Sequence, residues 1–170
     1  MEKLYGDLIT FNFDYLDNKK VSKNNFYCED KELVTNDIKK YFYNYLIKPN
    51  KNSLFTTCWA KLYKTKLFKF NKNLRFNEKL HLCEDTDFVF RFLSNSKCIQ
   101  YINSSVYSHT VAKGQNNLNK ATFGTKLNLI HQISFLKAVE ACKKYLIKNG
   151  ENLYSIQKKI DHCIGAYTVI

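Results

Sequence analysis

The sequence predicts an α/β protein with a small mixed sheet, followed by a tail of helices. Residues 8–15 are rich in β-branched and aromatic side chains, which is typical of a strand. Apolar residues recur at helical spacing in 35–47 and in 84–93. From about residue 120 onward, long amphipathic segments replace this mixed pattern. These observations place the strands and short helices first in the chain and the long helices last.

The first third of the chain predicts a strand pair and a helix. The turn at 17–20 follows the first strand and leads to a weaker return strand within 21–27. A helix over 35–47 comes next, with apolar positions on one face. Pro49 and the polar residues after it stop this helix.

The middle of the chain predicts two further helices and a second main strand. Residues 55–63 read as partly extended, and 65–70 as a short helix. The segment 84–93 reads as a helix, because its aromatic and aliphatic residues form i,i+4 pairs and its acids lie in the first turn. Residues 97–107 alternate as a strand.

The last third predicts two amphipathic helices. The first runs over about 127–148 and ends at Gly150, which suits a helix C-terminus. The second covers about 151–166. We therefore divide the chain into an α/β unit over 1–115 and a helical extension over 116–170.

The positive net charge resembles that of a nucleic-acid binder, but the basic residues that supply it are almost all lysines. The formal net charge is +12 over 170 residues. Arg75 and Arg91 are the only arginines, although arginine is the preferred residue for bidentate phosphate and base contacts. The lysines are spread along the whole chain. Nucleic-acid binding is therefore disfavoured, while contact between a basic face and an anionic membrane surface stays open.

The cysteines and the apolar segments indicate the compartment. No two of the six cysteines form a C-x-x-C pair, which disfavours a zinc or redox motif and favours buried free thiols in a reducing cytosol. The first residues lack the apolar segment of a signal peptide, and no apolar stretch approaches the length of a membrane span. We expect a cytoplasmic protein, and peripheral contact with the inner membrane stays open.

Four segments between residues 55 and 114 carry the functional signal. Residues 58–68 read CWAKLYKTKLF, 74–78 read LRFNE, 84–88 read EDTDF and 101–109 read YINSSVYSH. In this order and spacing they resemble the second half of family 2 (GT-A fold) nucleotide-sugar glycosyltransferases, which occur in bacterial capsule and lipopolysaccharide clusters. The resemblance covers about the first 115 residues. It implies a partial GT-A (nucleotide-diphospho-sugar transferase) fold with a helical tail.

The resemblance assigns the general base to Asp85 and gives Glu84 a contact with the acceptor or a role in orienting the loop. Glycosyl transfer with inversion needs an ionised carboxylate on the face opposite the leaving nucleotide. The first turn of a helix keeps a carboxylate ionised through its dipole and free N–H groups. The alternative is that Glu84, Asp85 and Asp87 only cap a helix.

Three other residues are candidate substrate-binding positions. Trp59 suits a platform for a sugar ring, or else a place in the core. Lys61 suits a contact with a phosphate or an acceptor carboxylate, or else a solvated position. At the position of His109, the resemblance implies either a basic residue near the diphosphate or a histidine that binds the metal. The alternative is a histidine at the end of a strand with neither role.

Metal binding by the Asp85-Thr86-Asp87 segment is disfavoured, and no metal ligand is predicted in this chain. Alternate residues of a helix point far apart, which suits a shared metal ion poorly. The resemblance implies Mg²⁺ or Mn²⁺ for the complete family enzyme, held by a D-x-D motif in an upstream half. No segment here matches that half. We therefore expect the metal ligands to lie outside this chain.

The resemblance implies a nucleotide-sugar donor and a glycan acceptor of the surface-polysaccharide kind. Since the donor-side half has no match, we expect a truncated or split transferase that associates with itself or with a partner chain supplying that half. Activity of the chain alone is left open. Two alternatives remain: a non-catalytic interaction module that retains a glycosyltransferase remnant, and a basic binder of nucleic acid or membrane surface.

Overall fold

The computed structural model describes residues 4–17, 20–24, 26–49, 51–80, 82–110 and 129–167. Within these ranges the chain forms a mixed sheet and a set of packed helices. The strands are β1 (Leu8–Asp17), β2 (Lys20–Asn24), β3 (Lys31–Leu33), β4 (Lys61–Tyr63) and β5 (Ile99–Thr110). The helices are α1 (Thr35–Ile47), α2 (Thr65–Phe70), α3 (Glu84–Leu93), α4 (Leu129–Lys148) and α5 (Leu153–Tyr167).

The sheet is built around the parallel pair of β1 and β5. The strand order is β2-β1-β5-β3, and β4 also pairs with β1. β2 and β4 both run antiparallel to β1, β2 along its end and β4 along its beginning. β3 runs antiparallel to the beginning of β5. The α/β class with a small mixed sheet is thus confirmed.

Helix α3 lies at the centre of the hydrophobic core. Seven of its ten residues are buried, so it presents apolar side chains in more than one direction. Phe90 packs edge-on against rings of α1, with centroids 4.6 Å from Phe42 and 4.9 Å from Tyr45. Phe92 packs edge-on against Tyr63 of β4 at 4.9 Å. Packing on two sides therefore fixes the rotation of α3 about its own axis.

The helices of the C-terminal part share this core. The inward side of α4 contributes Phe135, Val139 and Cys142, and that of α5 contributes Ile156 and Ile160. α4 packs against α3 and α1, and α5 packs against α1. The division of the chain into 1–115 and 116–170 remains a prediction.

Asp7 ties the beginning of the sheet to two other segments. Its carboxylate accepts a hydrogen bond from Lys64 Nζ at 2.7 Å and another from the Lys97 N–H at 2.9 Å. Its own N–H donates to the Cys98 carbonyl at 2.8 Å. Burial acts to raise the pKa of Asp7, but the bonds from Lys64 and Lys97 outweigh it and hold the pKa below its usual range.

The helix bounds predicted for 35–47, 65–70 and 84–93 are confirmed. β3 was not expected, because three residues carry too little strand pattern to stand out. The predicted polar loop at 113–117 and the predicted start of the long helix near 127 lie outside the described residues. Within the described ranges, no helix is both long and apolar enough to span a membrane.

All six cysteines are free thiols, and their burial is less uniform than expected. Cys142 and Cys163 are buried in the core. Three others are partly buried, namely Cys58, Cys83 and Cys98, and Cys28 is exposed. The expectation of buried free thiols therefore holds only for the two cysteines of α4 and α5.

Asp7→Asn should destabilise the fold in a pH-dependent way. We expect a loss of about 1 kcal/mol in the free energy of unfolding at pH 7, since a charge-assisted hydrogen bond to Lys64 is weakened. Because the pKa of Asp7 is lowered by folding, its contribution is complete above about pH 4 and is lost as the pH falls further. Urea unfolding of both proteins between pH 3 and 7 measures this, and a constant difference across that range would contradict it.

Candidate functional site

The first turn of α3 is joined to the loop 56–60, which leads into β4. Asp85 Oδ2 accepts a hydrogen bond from the Cys58 N–H at 3.1 Å. The next residue, Thr86, donates its hydroxyl to the Thr56 carbonyl at 3.0 Å. The half-buried Asp85 carboxylate is therefore held against a segment 27 residues away in sequence.

Strained backbone occurs on both sides of this junction. Among the described residues, Ala60 and Cys83 are the non-glycine residues with positive φ, at 53° and 57°. Ala60 lies between Trp59 and Lys61, and Cys83 comes directly before Glu84. Such left-handed conformations cost a residue with a side chain about 1–2 kcal/mol each and concentrate at functional sites.

Lys61 is partly buried near Asp85. It stands opposite Thr10 of β1 in the antiparallel register, and its Nζ donates to the Trp59 carbonyl at 3.2 Å. Burial lowers the pKa of Lys61 to about 7, although the nearby Cys58 and Asp85 act in the opposite direction. The lysine therefore exchanges its proton near neutral pH, which a fully solvated lysine does not do.

Cys58 connects three groups of the site. Its N–H donates to Asp85, and its carbonyl accepts the Tyr63 hydroxyl at 2.9 Å. Burial, together with the interaction with Asp85, raises the pKa of the Cys58 thiol to about 11. The pKa of Tyr63 is raised as well, first by burial and then by Cys58 and Asp85. The two groups are thus protonated at neutral pH.

Trp59 and His109 are brought together in an aromatic cluster. The two rings are nearly parallel, with centroids 5.6 Å apart. Tyr107 stacks on the same indole at 4.7 Å, and Phe13 of β1 meets it edge-on at 4.4 Å. His109 also meets Tyr15 edge-on at 5.8 Å. β1, β5 and the loop 56–60 together build this cluster.

A cavity of about 230 Å³ opens beside the first turn of α3. Its wall includes Glu84, which is exposed, Asp85 and the buried Tyr45 of α1. A larger cavity of about 410 Å³ lies at the end of α1 and shares Tyr45 with the smaller one. Asp85 lines only the smaller cavity of the two, so the smaller one is the candidate site.

Asp87, the second acid of the Asp85-Thr86-Asp87 segment, forms an ion pair with Arg91. Arg91 Nη2 lies 2.6 Å from Asp87 Oδ2, and Arg91 also donates to the Arg75 carbonyl at 2.9 Å. Asp87 therefore anchors the segment before α3. Over the residues that the structure describes, no three His, Cys, Asp or Glu side chains converge on a metal position.

The fold is similar to solved structures of S. aureus TarS. S. aureus TarS in complex with UDP aligns with a TM-score of 0.53 and 14% identity over 94% of this chain. S. aureus TarS in complex with UDP-GlcNAc aligns with a TM-score of 0.55 and 13% identity over 96% of this chain. The chain has a partial glycosyltransferase-like fold.

The chain spans about two fifths of the TarS structures, 38% of one and 42% of the other. No protein-family model matches it. No curated protein matches it in sequence.

The structure brings Asp85, Glu84 and Lys61 to one region, and it joins Trp59 to His109 in the neighbouring aromatic cluster. Their roles in binding or catalysis remain predictions. The sequence did not reveal Cys58 as a partner of Asp85. The contact is made by the backbone N–H of Cys58, and because every residue except proline has this group, it leaves no signal in the sequence.

Lys61→Met should stabilise the protein at neutral pH. The unfolded chain holds the Lys61 proton up to about pH 10, whereas the folded chain releases it near pH 7. The wild type therefore gains stability as the pH rises between these values, and the variant lacks this gain. We expect the variant to be the more stable protein at pH 6.5 and the difference to shrink by pH 10.

Urea unfolding at several pH values measures this effect, with Lys72→Met as the control because Lys72 is exposed. Parallel stability curves for wild type and Lys61→Met would contradict the burial of the Lys61 amine.

Proposed function

We propose that this chain is the acceptor-side portion of a nucleotide-sugar glycosyltransferase of the family 2, GT-A kind, with Asp85 as general base. It would act with a nucleotide-sugar donor on a surface-polysaccharide acceptor. The observation that carries the proposal is the Asp85 carboxylate, held half-buried at the start of α3 beside a cavity. The partial glycosyltransferase-like fold supports the same reading.

The chemistry assigns a specific task to this carboxylate. The acceptor oxygen forms a bond to the anomeric carbon, while the bond from that carbon to the phosphate oxygen breaks and the nucleoside diphosphate leaves with the electron pair. The acceptor hydroxyl loses its proton to Asp85. One carboxylate oxygen is fixed by the Cys58 N–H, and a carboxylate has further lone pairs with which to accept this proton.

The donor is proposed to be a UDP-sugar. TarS was solved with UDP and with UDP-GlcNAc, which supports this donor class. Lys61 would contact a phosphate or an acceptor carboxylate, and Glu84 would contact the acceptor at the open side of the cavity. Trp59 and His109 would contact the sugar or the diphosphate from the aromatic cluster.

A divalent metal does not fit the residues that the structure describes. No three potential ligands converge there, and Asp87 is already paired with Arg91. We propose that the Mg²⁺ or Mn²⁺ of the complete family enzyme is held by residues outside this chain. Its chemistry would be to neutralise the charge that develops on the leaving diphosphate.

We propose that a second copy of this chain, or a partner chain, carries the donor-binding part of the site. The second candidate function is a non-catalytic interaction module with a glycosyltransferase-like fold. Peripheral contact with the inner membrane is proposed on the basis of the net charge of +12.

In the intact enzyme, which includes the donor-binding part, Asp85→Asn should remove most turnover and leave donor binding unchanged. The amide still accepts the Cys58 N–H, but it cannot take a proton, so we expect a loss of about 10²–10⁴-fold in UDP release from UDP-GlcNAc in the presence of acceptor. The binding of UDP-GlcNAc, measured by calorimetry, should stay within about twofold.

Asp161→Asn is the matched control, since Asp161 is an exposed acid on α5. Turnover of Asp85→Asn within a few-fold of wild type would show that another group is the base. A wild-type chain that neither binds UDP-GlcNAc nor releases UDP, alone or with its partner, would favour the interaction module.

Trp59→Ala should impair acceptor use more than donor use. Trp59 belongs to the loop 56–60 that holds Asp85, and we propose that its indole gives a sugar acceptor an apolar contact that alanine would remove. We expect KM for the acceptor to rise about tenfold, with KM for UDP-GlcNAc unchanged. An equal loss for both substrates, together with a lowered Tm, would identify Trp59 as a structural residue of the aromatic cluster.

A further inference from the structure

We propose that the acceptor is an anionic saccharide, and that the larger cavity, at the end of α1, binds its phosphate or carboxylate group through Lys48 and Lys51. The inference rests on the proposed function, because it takes the acceptor hydroxyl to lie at Asp85 in the smaller cavity. The larger cavity has a volume of about 410 Å³, which is within the usual range for sites that bind small molecules.

The wall of the larger cavity is polar and carries positive charge. It is built from the last two turns of α1 together with Lys48, Lys51 and Asn52. No acidic residue belongs to the part of this wall that the structure describes. Neither lysine forms an ion pair with another described residue. Two amines at one cavity, each without a carboxylate partner, suit an anionic ligand group better than a neutral one.

Hydrogen bonds fix the backbone that carries the two lysines. The hydroxyl of the buried Tyr41 donates to the Asn52 carbonyl at 2.8 Å and accepts from the Phe55 N–H at 3.2 Å. The Lys51 N–H donates to the Lys48 carbonyl at 3.1 Å. The backbone on which both amines are carried is therefore ordered before any ligand binds, so binding requires little further ordering of the chain there.

The two cavities adjoin at Tyr45, which belongs to both walls. Pro49 and Ser53 of the smaller wall lie in the same segment as the two lysines of the larger one. The Tyr45 hydroxyl is buried and has no hydrogen-bond partner within the described structure, although such groups usually have one. A saccharide that spans both cavities would bring hydroxyl groups to this junction.

The charges of the two cavities are opposite in sign. The smaller cavity carries the acids Glu84 and Asp85, and the larger one carries Lys48 and Lys51. An anionic group is repelled by the carboxylates and attracted by the amines. A saccharide with one such group is therefore oriented, with the anionic group at the end of α1 and a hydroxyl towards Asp85.

The alternative is that the two lysines serve only the fold. Lys48 directly follows the last residue of α1, where the helix dipole favours a positive charge. Lys69 and Lys72 offer a matched pair, because they have the same spacing, lie at the end of α2 and belong to neither cavity wall. All four lysines are exposed. The pair at α2 therefore controls for net charge and for a position near a helix end.

The test is a titration of the isotope-labelled full chain with glucose 6-phosphate, followed by the NMR shifts of its backbone amides. We expect shifts in both cavity walls and a Kd at least about tenfold lower than that for glucose. The double variant Lys48→Met/Lys51→Met should weaken the binding of glucose 6-phosphate about tenfold, since a charge-assisted contact is lost. The control variant Lys69→Met/Lys72→Met should leave the Kd within about twofold.

Two further probes separate the parts of the ligand. Glucuronate carries a carboxylate in place of the phosphate, and the tighter binder of the two sugars identifies the anionic group that the site takes. Inorganic phosphate should bind at least about tenfold more weakly than glucose 6-phosphate, because it lacks the sugar. Equal binding of inorganic phosphate and glucose 6-phosphate would overturn a saccharide as the ligand.

Four other results would overturn the proposal. The first is equal weakening by both double variants, which would show attraction to the net charge alone. The second is equal affinity for glucose and glucose 6-phosphate, and the third is the absence of shifts in either wall. The fourth is a lowered Tm of Lys48→Met/Lys51→Met with an unchanged Kd, as expected if the lysines serve only the fold. The titration involves neither donor nor turnover, so its failure is distinguishable from a failure of Asp85→Asn to lose turnover.

Discussion

The burial of α3 on more than one side is the constraint on which the site depends. Phe90 packs into the rings of α1, and Phe92 packs against Tyr63 of β4. A helix held in this way cannot rotate without exposing one of these aromatic rings. Its first turn is therefore fixed in space, and Asp85 meets the Cys58 N–H as a consequence. Removal of a large ring from such a core typically costs about 3–5 kcal/mol.

The region around Asp85 carries features that cost stability. Ala60 and Cys83 adopt left-handed backbone without being glycine. Lys61 is partly buried, and the loss of solvent around its amine lowers its pKa to about 7. The Thr10 hydroxyl, opposite Lys61 in the sheet, is buried and lacks a hydrogen-bond partner within the described structure. Costs of this kind persist where a protein uses the geometry, and here they surround one carboxylate.

Local patterns in the sequence predicted the helices and the main strands. They could not predict which segments distant in sequence pair or pack together. Helices α1, α2 and α3 have the expected bounds, because apolar spacing and first-turn acids are local signals. β3 was missed, since its three residues become a strand only by pairing with β5. The motif residues Lys61 and Asp85 were recognised individually. Their proximity depends on β4 pairing with β1 and on the packing of α3, which no local pattern reveals.

The titration of Lys61 tests most directly whether α3 places the charge of Asp85 against the segment 58–61. NMR of the Lys61 side chain, in wild type and in Asp85→Asn, follows this titration in the folded chain. We expect a pKa near 7 in the wild type and a lower value in the variant, because the nearby negative charge is gone. A Lys61 that titrates near the ordinary value of about 10.4 in both proteins would contradict the arrangement described for this site.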